Sequence, residues 1–326
     1  MLRLVSLCTS RFLQIVNRIV ASRITRDTKL TLNRPPLFVI GAPRSGSTAL
    51  YQAITATLDV AYVNNLTCSL CTCLPLSFGL SRFIFRERAH RCYRSSFGNT
   101  RDCGWNAPAE CGEFWYRWLP RDRHFVDFDD VSPRTVRHLR SEVARATRIA
   151  GKAIVFKNLN AGQRLRLISR SFPEARIVHI TRDIRFNAQS IVLARCRNGI
   201  PRGTWWSIKP PKYEQYLDLP KADLAIAQVK AIEAQIEQDK QLFSPEQWKT
   251  VCYEDLTANP ERIVGEIAQF LNVKRRSRGR FREMVCAIRR PDGDRIKVSE
   301  QDWAQICRAA QDRGIDKRVE RNTVYE

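Results

Sequence analysis

Leu37-Phe38-Val39-Ile40-Gly41-Ala42-Pro43-Arg44-Ser45-Gly46-Ser47-Thr48 is the stretch on which the fold turns. Four apolar residues, two of them β-branched, make a short buried strand. Gly and Pro then enforce a tight loop, and Ala49 to Leu58 continues at helical period, the helix starting near Gly46. Strand, G-x-x-x-x-G loop and helix in that order have the spacing of a phosphate loop. In such a loop, successive backbone N–H groups and the positive end of the following helix surround an anion. The loop departs from that of a nucleotide triphosphatase, because Ser47 stands where Lys should follow the second glycine and the cation sits earlier, at Arg44. Such a Lys reaches the β- and γ-phosphates, so its absence argues against triphosphate hydrolysis. The competing reading is a glycine turn before an ordinary helix.

Outward from this stretch, apolar runs suited to buried strands recur at Ala153 to Phe156, Ile177 to Ile180 and Thr250 to Tyr253, with a weaker one at Val60 to Val63. Helical patterns separate them at Pro133 to Ala150, Ala161 to Ser171, Asp183 to Arg197, Lys221 to Phe243 and Pro260 to Leu271. The alternation predicts an α/β fold, a P-loop-type parallel sheet with helices on both faces. Residues 66–130 are rich in Cys, Arg and aromatics and show no clean period. They read as an irregular insertion covering the acceptor side of the sheet's ligand edge. Residues 1–34 form a basic amphipathic segment ahead of a single domain over 35–326, whose part from 274 onward is basic.

The chain has 326 residues with 55 Lys and Arg against 33 Asp and Glu, a net charge of +22. With 44% apolar residues, 14 Gly and 15 Pro it is too hydrophobic for a disordered polycation, and it carries no repeat. The charge implies an anionic partner. The densest run is Lys274, Arg275, Arg276, Arg278, Arg280, Arg282, Arg289 and Arg290, read either as a solvated face or as a polyanion contact. Six of the 11 cysteines, Cys68, Cys71, Cys73, Cys92, Cys103 and Cys111, crowd into the insertion. The first three form C-x2-C-x-C, which reads either as a zinc or cluster site or, since the second half common in zinc sites is missing, as reduced, partly buried thiols, the favoured reading. Residues 1–23 are interrupted by Arg3, Arg11 and Arg18 before any span-length apolar run, so they do not cross a bilayer. They read as a helix packed on the domain, with a peripheral helix on an anionic membrane as the alternative. Thiols of this kind and no evident export signal point to the cytoplasm, possible contact with the inner membrane face resting on that alternative.

Phe38 to Thr48, FVIGAPRSGST, resembles the 5′-phosphosulfate loop of the sulfotransferases that use 3′-phosphoadenosine-5′-phosphosulfate (PAPS). Arg176 to Ile191, RIVHITRDIRFNAQSI, resembles that family's 3′-phosphate element, with Arg182 at a strand end and Ser190 on the next helix. VCYEDL at 251–256, followed by Asn259-Pro260 and Phe270-Leu271, is similar to a third family segment. The three fall in order between about residues 36 and 273. The resemblance implies transfer of a sulfuryl group from PAPS to a hydroxyl or amine, with no metal required because the moving group carries less negative charge than a phosphoryl group. Arg44, Ser45, Gly46, Ser47 and Thr48 would hold the 5′-phosphate and sulfate, Arg44 would also neutralise the leaving oxygen, and Tyr253 would lie on the adenine side. Lys157, ending AIVFK before Asn158, stands where relatives often carry a Lys at the reacting centre, though a strand-end surface charge reads the same way. Ala49 and Leu50 replace the usual aromatic after the loop, so Trp205 or Trp206 is a candidate ring. The base position of relatives, here Val63-Asn64-Asn65, holds no carboxylate. Glu110 and Glu113, set among Trp105, Phe114, Trp115 and Trp118, are the substitutes, Glu110 preferred, and His124 and His179 are poorer. The aromatic, basic insertion favours a glycan-like acceptor. A P-loop kinase or triphosphatase, with Asp183 as a magnesium ligand, is the nearest competitor. A nucleic-acid or polyanion binder ranks last, since no helix-turn-helix, zinc-finger or RNP signature accompanies the charge.

Overall fold

In the computed structural model, residues 32, 34–86, 88–95, 98–289 and 295–311 are described, and the expected amphipathic segment at residues 1–23 lies outside them. Five strands, β1 (Leu37–Ile40), β2 (Ala61–Tyr62), β3 (Ile154–Lys157), β4 (Arg176–Thr181) and β5 (Trp248–Cys252), form one parallel sheet in the order β2-β3-β1-β4-β5. The α/β class read from the sequence is therefore the fold. Chain order reverses about β1, which lies between β3 and β4. The crevice at its carboxyl end is the place where open parallel sheets bind ligands.

The pleat explains the apolar run of β1. Leu37 and Val39 face one side of the sheet, with Val155, Val178, Ile180 and Val251; Phe38 and Ile40 face the other, with Phe156 and Ile177. Helices α1 (Ser47–Thr57), α9 (Tyr253–Ala258), α10 (Pro260–Leu271) and α11 (Arg278–Ile288) cover the first side. The second side is covered by α3 (Leu74–Phe85), α5 (Pro133–Ala150), α6 (Leu165–Ser171), α7 (Ile184–Arg197), α8 (Lys221–Lys240) and α12 (Glu300–Gln311). Two shorter helices, α2 (Asn65–Ser69) and α4 (Gly112–Trp115), lie within the stretch read as irregular.

Helix ends follow local chemistry. Ser132 caps α5 by accepting the Thr135 N–H, Pro133 starts it, and Gly151 ends it at φ 66°. Tyr253 opens α9 instead of ending β5, because Glu254 and Asp255 place two carboxylates in a first helical turn. Within the described part of the basic run at 274–290, Lys274, Arg275, Arg278, Arg282 and Arg289 are exposed, and only Arg276 and Arg280 turn inward. The Arg276 N–H and Nε donate to Thr57 O and Leu58 O at the end of α1, and Arg280 donates to the Ala89 and His90 carbonyls. Among the described residues no helix is long and apolar enough to cross a membrane.

Phe38 is fully buried, with its ring centroid 5.3 Å from Phe156, 5.9 Å from Phe172 and 6.0 Å from Trp115. Phe38→Ala is expected to lower unfolding free energy by about 3–5 kcal/mol, read as a fall in the urea midpoint at unchanged slope.

Candidate active site

The loop leaving β1 bends through Arg44 at φ 70° and Gly46 at φ 93°, both left-handed. Gly46 is also where space is shortest: a Cβ there would collide with the Tyr253 ring. Glycine thus lets the start of α1 lie flat against an aromatic face. α1 begins with no side-chain cap and no acidic residue in its first turn. The N–H groups of Gly46, Ser47, Thr48 and Ala49 therefore have no acceptor within the helix. Ser45 differs from its neighbours in the sequence assignment. Its N–H donates to Ala42 O at 3.3 Å and its side chain is fully buried under the loop, outside the cavity wall.

A cavity of about 470 Å³ opens at this helix start, within the size range of small-molecule sites. Arg44, Gly46, Ser47, Thr48, Glu110, Lys157, Arg182, Ser190 and Tyr253 all line it. The sequence motifs separated by more than a hundred residues are joined by side chains. Arg44 Nε donates to Ser190 Oγ at 2.9 Å, and Arg182 Nη1 donates to Arg44 O at 3.3 Å. The Arg182 guanidinium also lies 4.5 Å over the Tyr253 ring. Burial first, and then the charges of Arg182 and Arg197, pull the Arg44 guanidinium below its ordinary value. Like charges crowded in this way favour an anion between them.

On the other side of the loop, Lys157 at the end of β3 is almost wholly buried and ion-paired to Glu110 Oε1, and its Nζ donates to Thr48 Oγ1 at 3.1 Å. The surface-charge reading of Lys157 is thereby excluded. Asn158 Nδ2 donates to Glu110 O at 3.4 Å. Glu113 goes elsewhere: its exposed carboxylate forms a two-point ion pair with Arg121, whose hydrogen bond holds it below the usual carboxylate range. It is not part of the cavity wall, which leaves Glu110 as the carboxylate at the loop.

Several expectations are corrected by packing. Phe114 and Trp115 are core residues stacked under the sheet and Trp105 is exposed, so the aromatics around Glu110 do not line the cavity. Trp205 packs on Tyr213 and Tyr216 and donates to Ile208 O, while Trp206 lines the cavity. His179 is buried against Glu233, and burial pushes His124 down to about 4. Asp183 is engaged as the cap of α7. Its carboxylate accepts from the Arg185 N–H at 2.9 Å and pairs with the Arg185 guanidinium, so the metal-ligand role of the kinase reading has no support from its orientation. Cys111 Sγ donates to Cys68 O at 3.9 Å, Cys71 is near both, and Cys73 is the residue that precedes α3. Among the described residues no three His, Cys, Asp or Glu converge in a metal-binding arrangement.

Other residues were not marked by any sequence pattern. Glu233 on α8 braces the loop from behind, accepting the Ala42 N–H at 3.0 Å and a hydrogen bond from His179 Nε2 at 2.7 Å. Phe186, Gln189, Arg295 and Lys297 complete the wall. Gln189 holds the last two by their backbone: Nε2 donates to Arg295 O at 3.1 Å and Oε1 accepts the Lys297 N–H at 2.7 Å. The basic residues just after the predicted core, and a Gln beside Ser190, were the only signals available. Tyr93, Arg94 and Ser95 form a further wall anchored on α1. His90 anchors it, with Nδ1 accepting the Cys92 N–H at 3.1 Å and Nε2, which therefore carries the proton, 2.8 Å from Thr55 Oγ1.

The model of the sulfotransferase family matches residues 35–277. The chain belongs to the sulfotransferase family. No curated protein matches the sequence. Among solved structures it is similar to the sulfotransferase STF9 from Mycobacterium avium, at 14% identity and a TM-score of 0.56 over 95% of this chain and 82% of that one. The sulfotransferase STF1 from Mycobacterium tuberculosis H37Rv aligns at 15% identity and a TM-score of 0.47 over 90% and 80%. The first of these sulfotransferases shares the α/β sheet fold of this one.

Gly46→Ala should cost about 1–3 kcal/mol through its positive φ alone, and more through the Tyr253 contact. Adding Tyr253→Ala should recover the second part, which a double-mutant cycle of unfolding free energies will measure. Burial depresses His90 to about 3 from 6.5. The neutral ring is the folded form, so its contribution to stability is complete above pH 6.5 and is lost progressively as pH falls toward 3. A stability–pH profile of His90→Asn should be flatter than that of the parent over this window.

Proposed function

We propose that this sulfotransferase moves a sulfuryl group from PAPS to a hydroxyl, or amine, of a carbohydrate or glycoconjugate. The observation that carries the donor assignment is the joined arc of two guanidiniums, Arg182 and Arg44, and the Ser190 hydroxyl beside an uncapped helix start. A 5′-phosphosulfate end suits the four unpaired N–H groups of α1, and a ribose-linked 3′-phosphate suits Arg182 and Ser190. The adenine suits the neighbourhood of Tyr253 and Phe186, both on the cavity wall. The cavity size and its excess of cations over carboxylates fit a nucleotide with several negative charges.

When bound, PAPS supplies an activated sulfuryl group on a phosphate leaving group. The chain's part is positioning and charge stabilisation, as in other in-line transfers. Arg44, Lys157 and the N–H groups of Ser47 and Thr48, all at the cavity wall, would stabilise the negative charge that grows on the leaving oxygen. The Thr48 hydroxyl accepts from Lys157, so its own proton is free to point into the cavity. Glu110 faces the same space and takes the proton of the attacking acceptor hydroxyl at its carboxylate. Lys157, by pairing with Glu110, fixes that carboxylate beside the loop. The glycan class of the acceptor rests on the basic insertion and on Trp206 at the cavity, since aromatic faces stack on sugars.

Adenosine 3′,5′-bisphosphate should raise the melting temperature at concentrations where ATP with magnesium does not, and Arg182→Ala should erase the difference. Equal shifts with both nucleotides would favour a kinase instead. With labelled PAPS and a glycan panel, Glu110→Gln should lower kcat by about 10²- to 10⁴-fold while bisphosphate binding stays intact. An unchanged rate would remove Glu110 as base.

A further inference from the structure

Two cysteine sulfurs in the stretch between β2 and α5 converge on one backbone oxygen. Cys92 Sγ donates to Arg94 O at 3.2 Å and Cys103 Sγ approaches the same oxygen at 3.6 Å. Gln52 on α1 reinforces the arrangement, its Nε2 donating to Arg94 O at 3.0 Å and to Cys92 Sγ at 3.4 Å. The two thiols and Arg91, Tyr93 and Arg94 line a surface depression of about 450 Å³, separate from the sulfuryl-transfer cavity. On the inner side of the same backbone, Tyr93, Arg94 and Ser95 are cavity wall, and so is Gln52. Gly98, at φ 90°, lies so close to Glu110 Oε1 that a Cβ would meet it at 2.5 Å.

We propose that Cys92 and Cys103 are a redox-addressable pair whose disulfide pins this wall of the cavity in place. The co-reactant is a small anionic disulfide of the glutathione type, whose carboxylates suit the two guanidiniums, Arg91 and Arg94, around the depression. Cys103 is partly exposed and Cys92 is buried, so Cys103 is the entry point. Its thiolate attacks one sulfur of the small disulfide, and one thiol leaves. Cys92 then attacks Cys103 Sγ in the mixed disulfide, and the second thiol leaves. Two protons and two electrons leave the protein, and the small disulfide is reduced to two thiols.

Burial, and next its hydrogen bond with Cys103, pushes the Cys92 thiol up to about 11, in keeping with the slower, resolving part. The link closes the chain between residues 92 and 103 on itself and removes freedom from the residues on either side of Arg94. It also leaves Cys68, Cys71 and Cys111 as a separate thiol cluster, which supplies an internal control. The pairing does not depend on the identity of the sulfuryl donor.

The full chain is incubated with oxidised glutathione, its remaining thiols are capped with iodoacetamide, and the peptides are mapped without reduction. The expected product is a Cys92–Cys103 linked peptide that disappears on treatment with dithiothreitol and does not form in Cys103→Ser. Hydrogen exchange of the amides at 92–95 and 98–103 should slow about tenfold in the linked protein and recover on reduction. Linkage of Cys111 to Cys68 or Cys71 with Cys92 and Cys103 still capped would overturn the proposal. So would a Cys92–Cys103 link that leaves exchange in these residues unchanged.

Discussion

The approach of Gly46 to the Tyr253 ring sets the geometry of everything around it. Because no side chain intervenes, the first turn of α1 and the first residue of α9 touch directly, although they follow different strands. The ring that presses on Gly46 also carries the Arg182 guanidinium on its edge of the cavity, and Arg182 in turn holds the Arg44 carbonyl. Arg44 can then adopt its left-handed conformation and send its side chain to Ser190. One missing methyl group thus brings three segments, distant in the chain, into a single cation-rich arc. Any residue but glycine would push the helix start off the aromatic face and part the arc at its centre.

The parallel sheet explains why the arc is where it is. β1 sits between β3 and β4, and each of the three ends in a residue of the site: the loop after Ile40, Lys157, and Arg182 just past Thr181. Strand order therefore brings together two cationic side chains and a row of backbone donors at one edge. The core supplies rigidity from both sides, with Phe38, Phe156 and Trp115 stacked beneath and Leu50, Ile54 and Val264 above. A closely packed interior of this kind is hard to compress and holds the loop in place, which matters for a reaction that depends on alignment.

Much of this was legible in local sequence. β1, its loop and α1 follow from an apolar run, glycines and a helical period, and α5 and α10 begin and end where their Pro, Gly and Asn signals put them. The convergence of Arg44, Ser47, Thr48, Arg182, Ser190 and Tyr253 on one cavity was legible for the same reason, these residues being held by short motifs around strand ends. What the sequence concealed depends on partners far along the chain. Glu233 looks like any exposed helical acid until α8 is laid behind the loop. The insertion hides short helices, since α3 is apolar on nearly every side and leaves Phe83 and Ile84 in solvent, so no period marks it. Aromatics near Glu110 in sequence went into the core, while Phe186 and Trp206 came to the cavity from elsewhere. The two acids three residues apart, Glu110 and Glu113, were indistinguishable by composition. Backbone direction around Cys111, at φ 46°, turned one inward and the other out to Arg121.

The grip of Gln189 on the backbone at Arg295 and Lys297 ties the cavity to the last described helix. α12 lies against α7 and α8, and its Trp303 packs on Phe186 at 5.1 Å between ring centres. The wall of the cavity is therefore shared with a stretch more than two hundred residues downstream of the loop at its centre. An excised core ending at α11 would still present its strand-end cations, yet it would forfeit two positive charges and the brace behind an aromatic wall. For this molecule, the walls of the central cavity extend past the boundary that the sheet alone would suggest.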